Sequence, residues 1–293
     1  MADHPLADVG AWMLDPAVVH ANHGSFGAIT RATWDAVTAA RARVAADPMR
    51  FFQHDWEPAH HAARHTVATF LAADPDRLQL VPNATLGMEL ALRVLPDGGR
   101  VVRTDHAYPL VVGALDAWAS RTGGEVDVVG LDLDADPTRD ADALAVAADG
   151  AAAVVLDACA SATARWLPLH GLVPYLRDAG TRVVVDAAHV PGQADAEVAR
   201  LDADAWVGNL HKWACAPHAL AAVALSPEHA ATVGPLAHSA TSTTIGGAGF
   251  PDDSAWWGTH DPGPMLVAGQ VVAQARELRS ALGTTIEDRV HHG

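Results

Sequence analysis

The chain contains a single lysine, and its surroundings could support covalent chemistry. Lys212 lies in the stretch GNLHKWACAP, directly after the apolar run DAWV, which is typical of the end of a buried strand. A lysine amine attacks a carbonyl only when it is neutral, so its usual pKa of about 10.4 must be lowered by burial or by a nearby cation. Arginine cannot take this role because its guanidinium group stays charged. The position of Lys212 therefore indicates a buried nucleophile that binds a carbonyl compound.

Other polar side chains follow predicted strands in the same way. Asp186 ends the run RVVVD, and His189 follows three residues later. Asn83, Ala84 and Thr85 follow the run LQLV and open a helix, whose free N–H groups and positive dipole end suit a phosphate. A carboxylate can keep a pyridine nitrogen protonated, and a histidine can contact a phenolic oxygen. Together with a Schiff-base lysine, these are the groups that pyridoxal 5′-phosphate (PLP) requires.

Short apolar runs alternate with helical segments along most of the chain, and this pattern must position those residues. Strands are predicted at LQLV (78–81), RVV (100–102), VDVVGL (126–131), AAVVL (152–156), RVVVD (182–186), DAWVG (204–208) and LAAVAL (220–225). Their continuous Val, Ala and Leu character predicts an α/β fold with a mostly parallel sheet flanked by helices on both faces. Ligands of such sheets bind beyond the carboxyl ends of the strands, so the polar residues are expected to converge there.

Composition argues against several classes of function. A chain of 293 residues can bury a substantial core, in one large domain or two smaller ones. Its formal net charge of −16 repels nucleic acid and anionic membranes, so we expect neither as a partner. There is no basic leader and no apolar run of membrane-spanning length, which favours a cytoplasmic protein. Cys159 and Cys215 form no CxxC pair, so reduced thiols are expected.

Four further patterns allow both a chemical and a structural interpretation. His61 and His65 have the spacing of metal ligands on a helix but lack a third ligand, so a solvated helix face is favoured and no metal is expected. Cys215 is interpreted as a small buried hydrophobe rather than a sulfur nucleophile. Asp157 is interpreted as a hydrogen-bonding strand end rather than a general base. Trp256–Trp257 could line a substrate site or pack at a dimer interface.

Six stretches, in order, resemble the motifs of the class V aminotransferase-like PLP enzymes, which have fold type I. Within that superfamily they are most similar to the isopenicillin N epimerase-like branch. The stretches are NHGSFG (22–27), VPNAT (81–85), TDHAY (104–108), DAAHVPGQ (186–193), GNLHKWACAP (208–217) and GTHDP (258–262). The resemblance extends over nearly the whole chain, and it is more specific for the family than for the reaction.

The resemblance implies a role for individual residues. Lys212 would be the Schiff-base lysine and proton shuttle, Asp186 the partner of the pyridine nitrogen, and His189 the contact to the phenolic oxygen. The other implied contacts are to the phosphate from Ala84, Thr85 and His211, to the cofactor ring from His106 or Tyr108, to the phosphate of a neighbouring subunit from Thr259, and to substrate from Asn22, His23 and Ser25. An ordinary glycine turn is the alternative for NHGSFG. The role of Thr259 implies a homodimer, and the family implies an amino-acid-like substrate.

Several positions depart from the family pattern. The stretch DACASATA (157–164) stands where relatives have a pattern like DHITSPTA, so Ala158 and Ala160 replace polar residues expected along the cofactor. His260 stands where relatives usually have arginine, and His218 where they often have lysine. Some cofactor contacts are therefore expected to be lost.

The last segment predicts a helix with one apolar stripe. The stripe consists of Val267, Val271, Ala275, Leu278 and Leu282, at spacings of 4, 4, 3 and 4. We expect residues 1–263 to form a PLP-binding large domain and residues 264–293 a terminal interdomain-type helix, with the small C-terminal domain of the family missing. Whether the stripe packs on this domain or on a missing one is left open.

The sequence thus predicts a PLP-dependent enzyme that performs aminotransfer, epimerisation or lyase chemistry on an amino-acid-like substrate. Two alternatives stand beside it. One is a non-catalytic protein that keeps the fold as an interaction or regulatory partner. The other is one half of a split enzyme, whose small domain comes from another chain.

Overall fold

The computed structural model describes residues 8–238 and 249–282. The strands are β1 (Leu78–Val81), β2 (Arg100–Thr104), β3 (Glu125–Val129), β4 (Ala153–Asp157), β5 (Arg182–Asp186), β6 (Ala205–Asn209) and β7 (Ala221–Leu225). The α-helices are α1 (His23–Phe26), α2 (Arg31–Ala46), α3 (Pro48–Arg50), α4 (Trp56–Phe70), α5 (Ala84–Ala91), α6 (Pro109–Thr122), α7 (Pro137–Ala147), α8 (Leu169–Asp178), α9 (Val198–Leu201), α10 (Pro227–Ala230), α11 (Gly263–Leu266) and α12 (Ala268–Leu282). Short 3₁₀ turns lie at Val9–Ala11, Pro75–Arg77, Leu92–Val94 and Asp252–Ser254, and a π-helical turn at Phe51–Asp55.

The strands form one sheet in the order β1-β7-β6-β5-β4-β2-β3. From β3 to β6 all neighbours pair in parallel, whereas β7 pairs antiparallel with both β6 and β1. The predicted α/β fold with a mostly parallel sheet is therefore confirmed. Every residue of β1, β4, β6 and β7 is buried, while the edge strand β3 has no fully buried residue. The carboxyl ends of β4, β5 and β6 consequently meet at one protected edge of the sheet.

Two apolar clusters cover the two faces of the sheet. Val183 and Val185 belong to one cluster, and Val184 between them belongs to the other, because successive side chains of a strand point to opposite faces. The first cluster includes side chains of α2, α4, α7, α8 and α12. The second includes side chains of α5 and α6. This double cover explains why the strand sequences are continuously apolar rather than alternating.

The helix α12 buries its apolar stripe within this unit. Val267, Val271 and Ala275 are buried in the first cluster, together with side chains of α2 and α4. Leu278 is half-buried, and the side chain of Leu282 lies outside the described residues. The stripe therefore has its partner in the same chain, and the domain boundary at residue 263 stays a prediction.

No helix in the described ranges is long and apolar enough to cross a membrane.

Candidate active site

A cavity of about 220 Å³ lies beyond the carboxyl ends of the central strands. Asp157, Asp186 and Asn209 are the last residues of β4, β5 and β6, and all three line it. Because these strands run parallel, their ends arrive at the same edge of the sheet. The loop after β2 adds Tyr108, and the start of α5 closes another side. The expected convergence of strand-end residues is thus present.

Most of the residues singled out from the sequence lie around this cavity. Those that line it are Ser25, Ala84, Thr85, Tyr108, Asp157, Asp186, His189, His211 and Lys212. Those outside the lining are Asn22, His23, His106 and Thr259. Nδ1 of His106 instead pairs with Oδ1 of Asp105 at 2.7 Å, and Thr259 is exposed to solvent. Of the two residues suggested to cover a ring, Tyr108 is therefore the one that faces the cavity.

The start of α5 is fixed by two asparagines. Oδ1 of Asn83 caps the helix by accepting from the backbone N–H of Leu86 at 3.0 Å. Oδ1 of Asn209, at the end of β6, accepts from the N–H of Ala84 at 2.9 Å. Both contacts hold the positive end of the helix against the cavity. His211 adds a polar atom here, since its buried Nδ1 has no hydrogen-bond partner among the described residues.

Lys212 follows β6 by three residues and is 8% exposed. Its Nζ lies 3.0 Å from Nε2 of His189 and 5.9 Å from the centroid of the Tyr108 ring. Burial lowers the pKa of Lys212 from its usual 10.5, although the negative charge of Asp186 acts in the opposite direction. The amine is therefore closer to its nucleophilic form than a surface lysine is.

The two carboxyl groups at the sheet edge are neighbours. Asp157 and Asp186 pair in register across β4 and β5, and both are buried. Burial, followed by the charge of Asp186, raises the pKa of Asp157 from 3.8 to about 7. Burial also raises the pKa of Asp186, while a hydrogen bond of 2.9 Å from the N–H of Ala188 to Oδ1 and the charge of Lys212 act against it. A cation placed beside Asp186 would favour its ionised form.

The two histidines of the cavity are neutral at pH 7. Burial, with a smaller contribution from the charge of Lys212, lowers the pKa of His189 to about 4. Burial and the nearby His218 lower the pKa of His211 to about 4 as well. Neutral imidazole can donate one hydrogen bond and accept another, so each ring can orient a neighbouring group without adding charge.

The N-terminal segment, residues 22–27, is docked on the loop that carries the lysine. Nε2 of His23 donates to the backbone oxygen of Lys212 at 2.9 Å, and Nε2 of His218 donates to the backbone oxygen of Phe26 at 3.1 Å. Gly27 has φ +77°, and a Cβ at this position would lie 1.8 Å from the backbone oxygen of His211. Only glycine permits this approach. The segment combines a helical turn, α1, with the glycine turn that the sequence suggested.

The loop after β4 contributes alternate residues to the cavity wall. Ala158 and Ala160 are buried but do not line the cavity, whereas Cys159 and Ser161 do. Asp157, Cys159 and Ser161 are spaced by two, which is the alternation of side chains along an extended chain. This spacing of two is the sequence signal that could have indicated Cys159 and Ser161 as lining residues. Ala158 and Ala160 thus lie outside the cavity lining, and the expected loss of cofactor contacts at these two positions stays a prediction.

The other residues considered from the sequence, His61, Cys215 and Trp257, do not line the cavity. Nε2 of His61 lies 3.6 Å from Asp252, and within the described part of the chain no group of three or more His, Cys, Asp or Glu side chains could hold a metal ion. Burial raises the pKa of Cys215 to about 12, so its thiol stays protonated at neutral pH. Trp257 stacks on His260 with ring centroids 4.3 Å apart.

A family model and several curated proteins match this chain. A model described as Aminotransferase class-V matches residues 35–251. Isopenicillin N epimerase of Streptomyces clavuligerus is 34% identical over 224 residues, which is 74% of this chain and 56% of the relative. L-cysteine desulfhydrase of Arabidopsis thaliana is 27% identical over 274 residues, which is 87% of this chain and 60% of the relative. This chain thus spans little more than half the length of these curated relatives.

Solved structures share the fold at lower identity. A complex of the cystine C-S lyase C-DES with its product cysteine persulfide has a TM-score of 0.74 and 21% identity, covering 91% of this chain and 72% of the lyase. A mutant of the same lyase holds glycine covalently linked to its PLP cofactor. The apo cysteine desulfurase of Thermococcus onnurineus has a TM-score of 0.72 and 17% identity, covering 89% of this chain and 68% of that protein.

Proposed function

Because this chain belongs to the class V aminotransferase family, a family of PLP-dependent enzymes with fold type I, we propose that it binds PLP through Lys212 and acts on an amino-acid-like substrate. The observation that carries the proposal is the sole lysine, buried in the cavity with its amine beside His189 and close enough to Asp186 for their charges to interact. Lys212 and Asp186 are proposed as the catalytic pair. The chain matches little more than half the length of its relatives, so an activity like that of those longer proteins is part of the proposal.

The residues around the cavity fit PLP. The start of α5, with Ala84 and Thr85, and the unpartnered Nδ1 of His211 would hold the phosphate. Asp186 would hold the proton of the pyridine nitrogen, and His189 would contact the phenolic oxygen. These groups come from the ends of three strands, β1, β5 and β6, so the folded sheet brings them together before any ligand arrives.

The chemistry is divided between the cofactor and the chain. When bound, PLP supplies an aldehyde for a lysine amine and an electron sink that acidifies the α-proton of an amino acid. Lys212 would hold the cofactor through this amine, and Nζ would accept the α-proton once it is a free amine again, because burial disfavours its charged form. Asp186 would hold the proton of the pyridine nitrogen, and the Tyr108 ring, whose centroid lies 5.9 Å from Nζ of Lys212, lines the same cavity. Removal of the α-proton is thus the step that the geometry supports best.

Loss of the α-proton is common to several reactions, which differ in what happens to the substrate afterwards. The named relatives include an epimerase and C–S bond-cleaving enzymes, and both kinds of reaction can begin by loss of the α-proton. Aminotransfer, epimerisation and lyase chemistry therefore share the proposed role of Lys212. Ser25, with Asn22 and His23 behind it, is proposed to meet the substrate, since the N-terminal segment borders the cavity.

A homodimer is proposed for the functional assembly. Thr259 is exposed and lies outside the cavity lining, so its proposed phosphate contact requires a second copy of the chain. Light scattering with saturating PLP should give twice the chain mass, and a monomer under those conditions would contradict the proposal. A cytoplasmic location stays a prediction from the sequence.

The binding proposal is tested by the visible absorption spectrum after PLP addition and dialysis. Wild type should keep a band of lysine-bound cofactor, and Lys212→Ala should lose it. Because no other lysine exists, the variant is a clean blank. A wild type without a band would refute cofactor binding and favour the non-catalytic alternative, and a band in both proteins would exclude Lys212. Borohydride reduction followed by peptide mass mapping locates the cofactor in wild type and does not depend on how the variant folds.

The catalytic proposal is tested by exchange of the α-proton. Loaded wild type in deuterated water should exchange the α-proton of at least one amino acid in a panel, as followed by proton NMR. Asp186→Ala should slow this exchange, because the ring site loses its buried carboxylate. Unchanged exchange in that variant would remove Asp186 from the mechanism.

A further inference from the structure

A line of hydrogen bonds leads from Trp213 to the amine of Lys212. Nε1 of Trp213 donates to Nδ1 of His189 at 3.2 Å, and Nε2 of the same imidazole lies 3.0 Å from Nζ of Lys212. We call these three side chains the Trp213 relay. Lys212 and Trp213 are adjacent in the chain, and His189 comes from the loop after β5, so the relay joins two loops of the active site.

The direction of each hydrogen bond in the relay follows from the chemistry of the groups. An indole N–H can only donate, so Nδ1 of His189 must present its lone pair. An imidazole without a proton on Nδ1 is neutral and carries its one proton on Nε2. That N–H then points to Nζ of Lys212. An ammonium group has no lone pair and cannot accept it, whereas a neutral amine can.

We propose that Trp213 is a positioning residue that fixes the tautomer of His189 and thereby holds Lys212 as a neutral amine. The importance of a neutral amine rests on the proposed function, because only a neutral Lys212 can bond to the carbonyl carbon of PLP. The ionisation itself needs no cofactor. It can therefore be measured even if the chain turns out not to bind PLP.

Close packing holds the indole in place. A Cβ at Gly24 would lie 2.9 Å from Cζ2 of Trp213, and the ring of His23 lies against the indole with centroids 5.1 Å apart. On the backbone side, Gly192 has φ +90°, and a Cβ there would lie 2.5 Å from the carbonyl carbon of Trp213. Two glycines and a histidine thus leave the indole little room to turn its N–H away from His189.

The other groups that face Lys212 act with or against the relay. The carboxylate of Asp186 favours the ammonium form and opposes the relay. The thiol of Cys159 has its pKa raised to about 12 by burial and by the charge of Asp157, so it carries no charge at neutral pH. His211 lies in the same cavity and is neutral at pH 7, and the centroid of the Tyr108 ring lies 5.9 Å from Nζ. The relay and burial together must therefore outweigh Asp186.

The sole lysine makes the relay measurable in the cofactor-free chain. Protein grown with isotope-labelled lysine gives one side-chain amine in the NMR spectrum, so its pKa is read directly by pH titration. Isotope-labelled histidine gives the protonation of the ring nitrogens, and His189→Phe identifies the signals of His189. The expected wild-type result is an unprotonated Nδ1 and a protonated Nε2, with a Lys212 pKa below its usual value. A proton on Nδ1 would overturn the proposal without any Trp213 variant being needed.

Removing the indole N–H should change both signals. In Trp213→Phe, His189 is free to present Nε2 as an acceptor to an ammonium group, so the Lys212 pKa should rise by about one unit, a tenfold loss of neutral amine. Trp257→Phe is the matched control, because its indole also lies against a histidine, His260, and neither residue lines the cavity. It should leave both signals unchanged.

A double-mutant cycle separates the relay from a loss of burial. In a His189→Phe background, Trp213→Phe should no longer move the Lys212 pKa, because the relay passes through His189. The same shift in both backgrounds would mean that the indole acts only by excluding water, and the proposal would be wrong. PLP binding is followed separately by its absorption band, so failure of the relay and failure of the proposed function give different results.

Discussion

Replacing Asp157 by asparagine should stabilise the fold, and more strongly as the pH rises. The pKa of Asp157 lies at about 7 in the folded chain and at 3.8 in a model compound, because burial and the charge of Asp186 disfavour its ionised form. Between these values the unfolded chain has lost a proton that the folded chain keeps, so the free energy of unfolding falls as the pH rises. A difference of about three pH units at about 1.4 kcal/mol each gives an upper bound of about 4 kcal/mol, reached near pH 7. Asparagine carries no such penalty in either state.

The measurement is urea unfolding of wild type and Asp157→Asn across the range from about pH 4.5 to about pH 8. Relaxation around a buried charge reduces the bound, so we expect the variant to gain about 1–3 kcal/mol relative to wild type between the ends of this range. Asp178→Asn, which removes an exposed carboxylate at the end of α8, controls for the change in net charge. A stability difference between Asp157→Asn and wild type that stays constant with pH would refute the reasoning, because it would show that Asp157 ionises as readily in the folded chain as in the unfolded one.

Two further substitutions test the support of the site, and a third tests a buried ion pair of the fold. Gly192→Ala should lower the free energy of unfolding by about 1–3 kcal/mol and also weaken PLP binding, since its Cβ would lie 2.5 Å from a backbone carbon of the lysine loop. Gly180→Ala is the control: Gly180 has φ +85°, and its added Cβ would have no atom within 4 Å, so this variant should lose stability but keep its affinity for PLP. Asn83→Ala should cost about 1 kcal/mol in urea unfolding by removing the cap of α5, and its PLP dissociation constant should rise. Arg165→Met should cost about 3–5 kcal/mol, because the buried Asp140 carboxylate loses its ion partner at 2.6 Å, and adding Asp140→Leu should recover part of that loss.

Much of the fold could be predicted because buried parallel strands have a simple signature. Each of the seven apolar runs corresponds to a strand, and RVVVD matches the bounds of β5, Arg182–Asp186. The rule that parallel strands end at one edge then brings Asp186, Lys212 and Thr85 to the same cavity. Both inferences depend only on the local pattern of apolar residues and on the direction of the chain, and both can be read from the sequence.

The rest depends on contacts between distant residues. His106 turns to its neighbour Asp105 rather than to the cavity, and no spacing rule distinguishes it from Tyr108. The relay joins His189 and Trp213, which are 24 residues apart and meet only because β6 places one loop against the other. The contacts of such a relay depend on three-dimensional distances, so the sequence predicts Lys212 as the nucleophile but not the residues that fix its charge.

The docking of the N-terminal segment also sets the order in which the pocket can form during synthesis. His23 reaches the backbone oxygen of Lys212 across 189 residues, and Phe26 is held by His218. Residues 22–27 leave the ribosome long before Lys212 and His218, so they have no surface to bind while the intervening strands are synthesised. The pocket wall is complete only after residue 218 has emerged. The proposed PLP site is therefore completed late in synthesis.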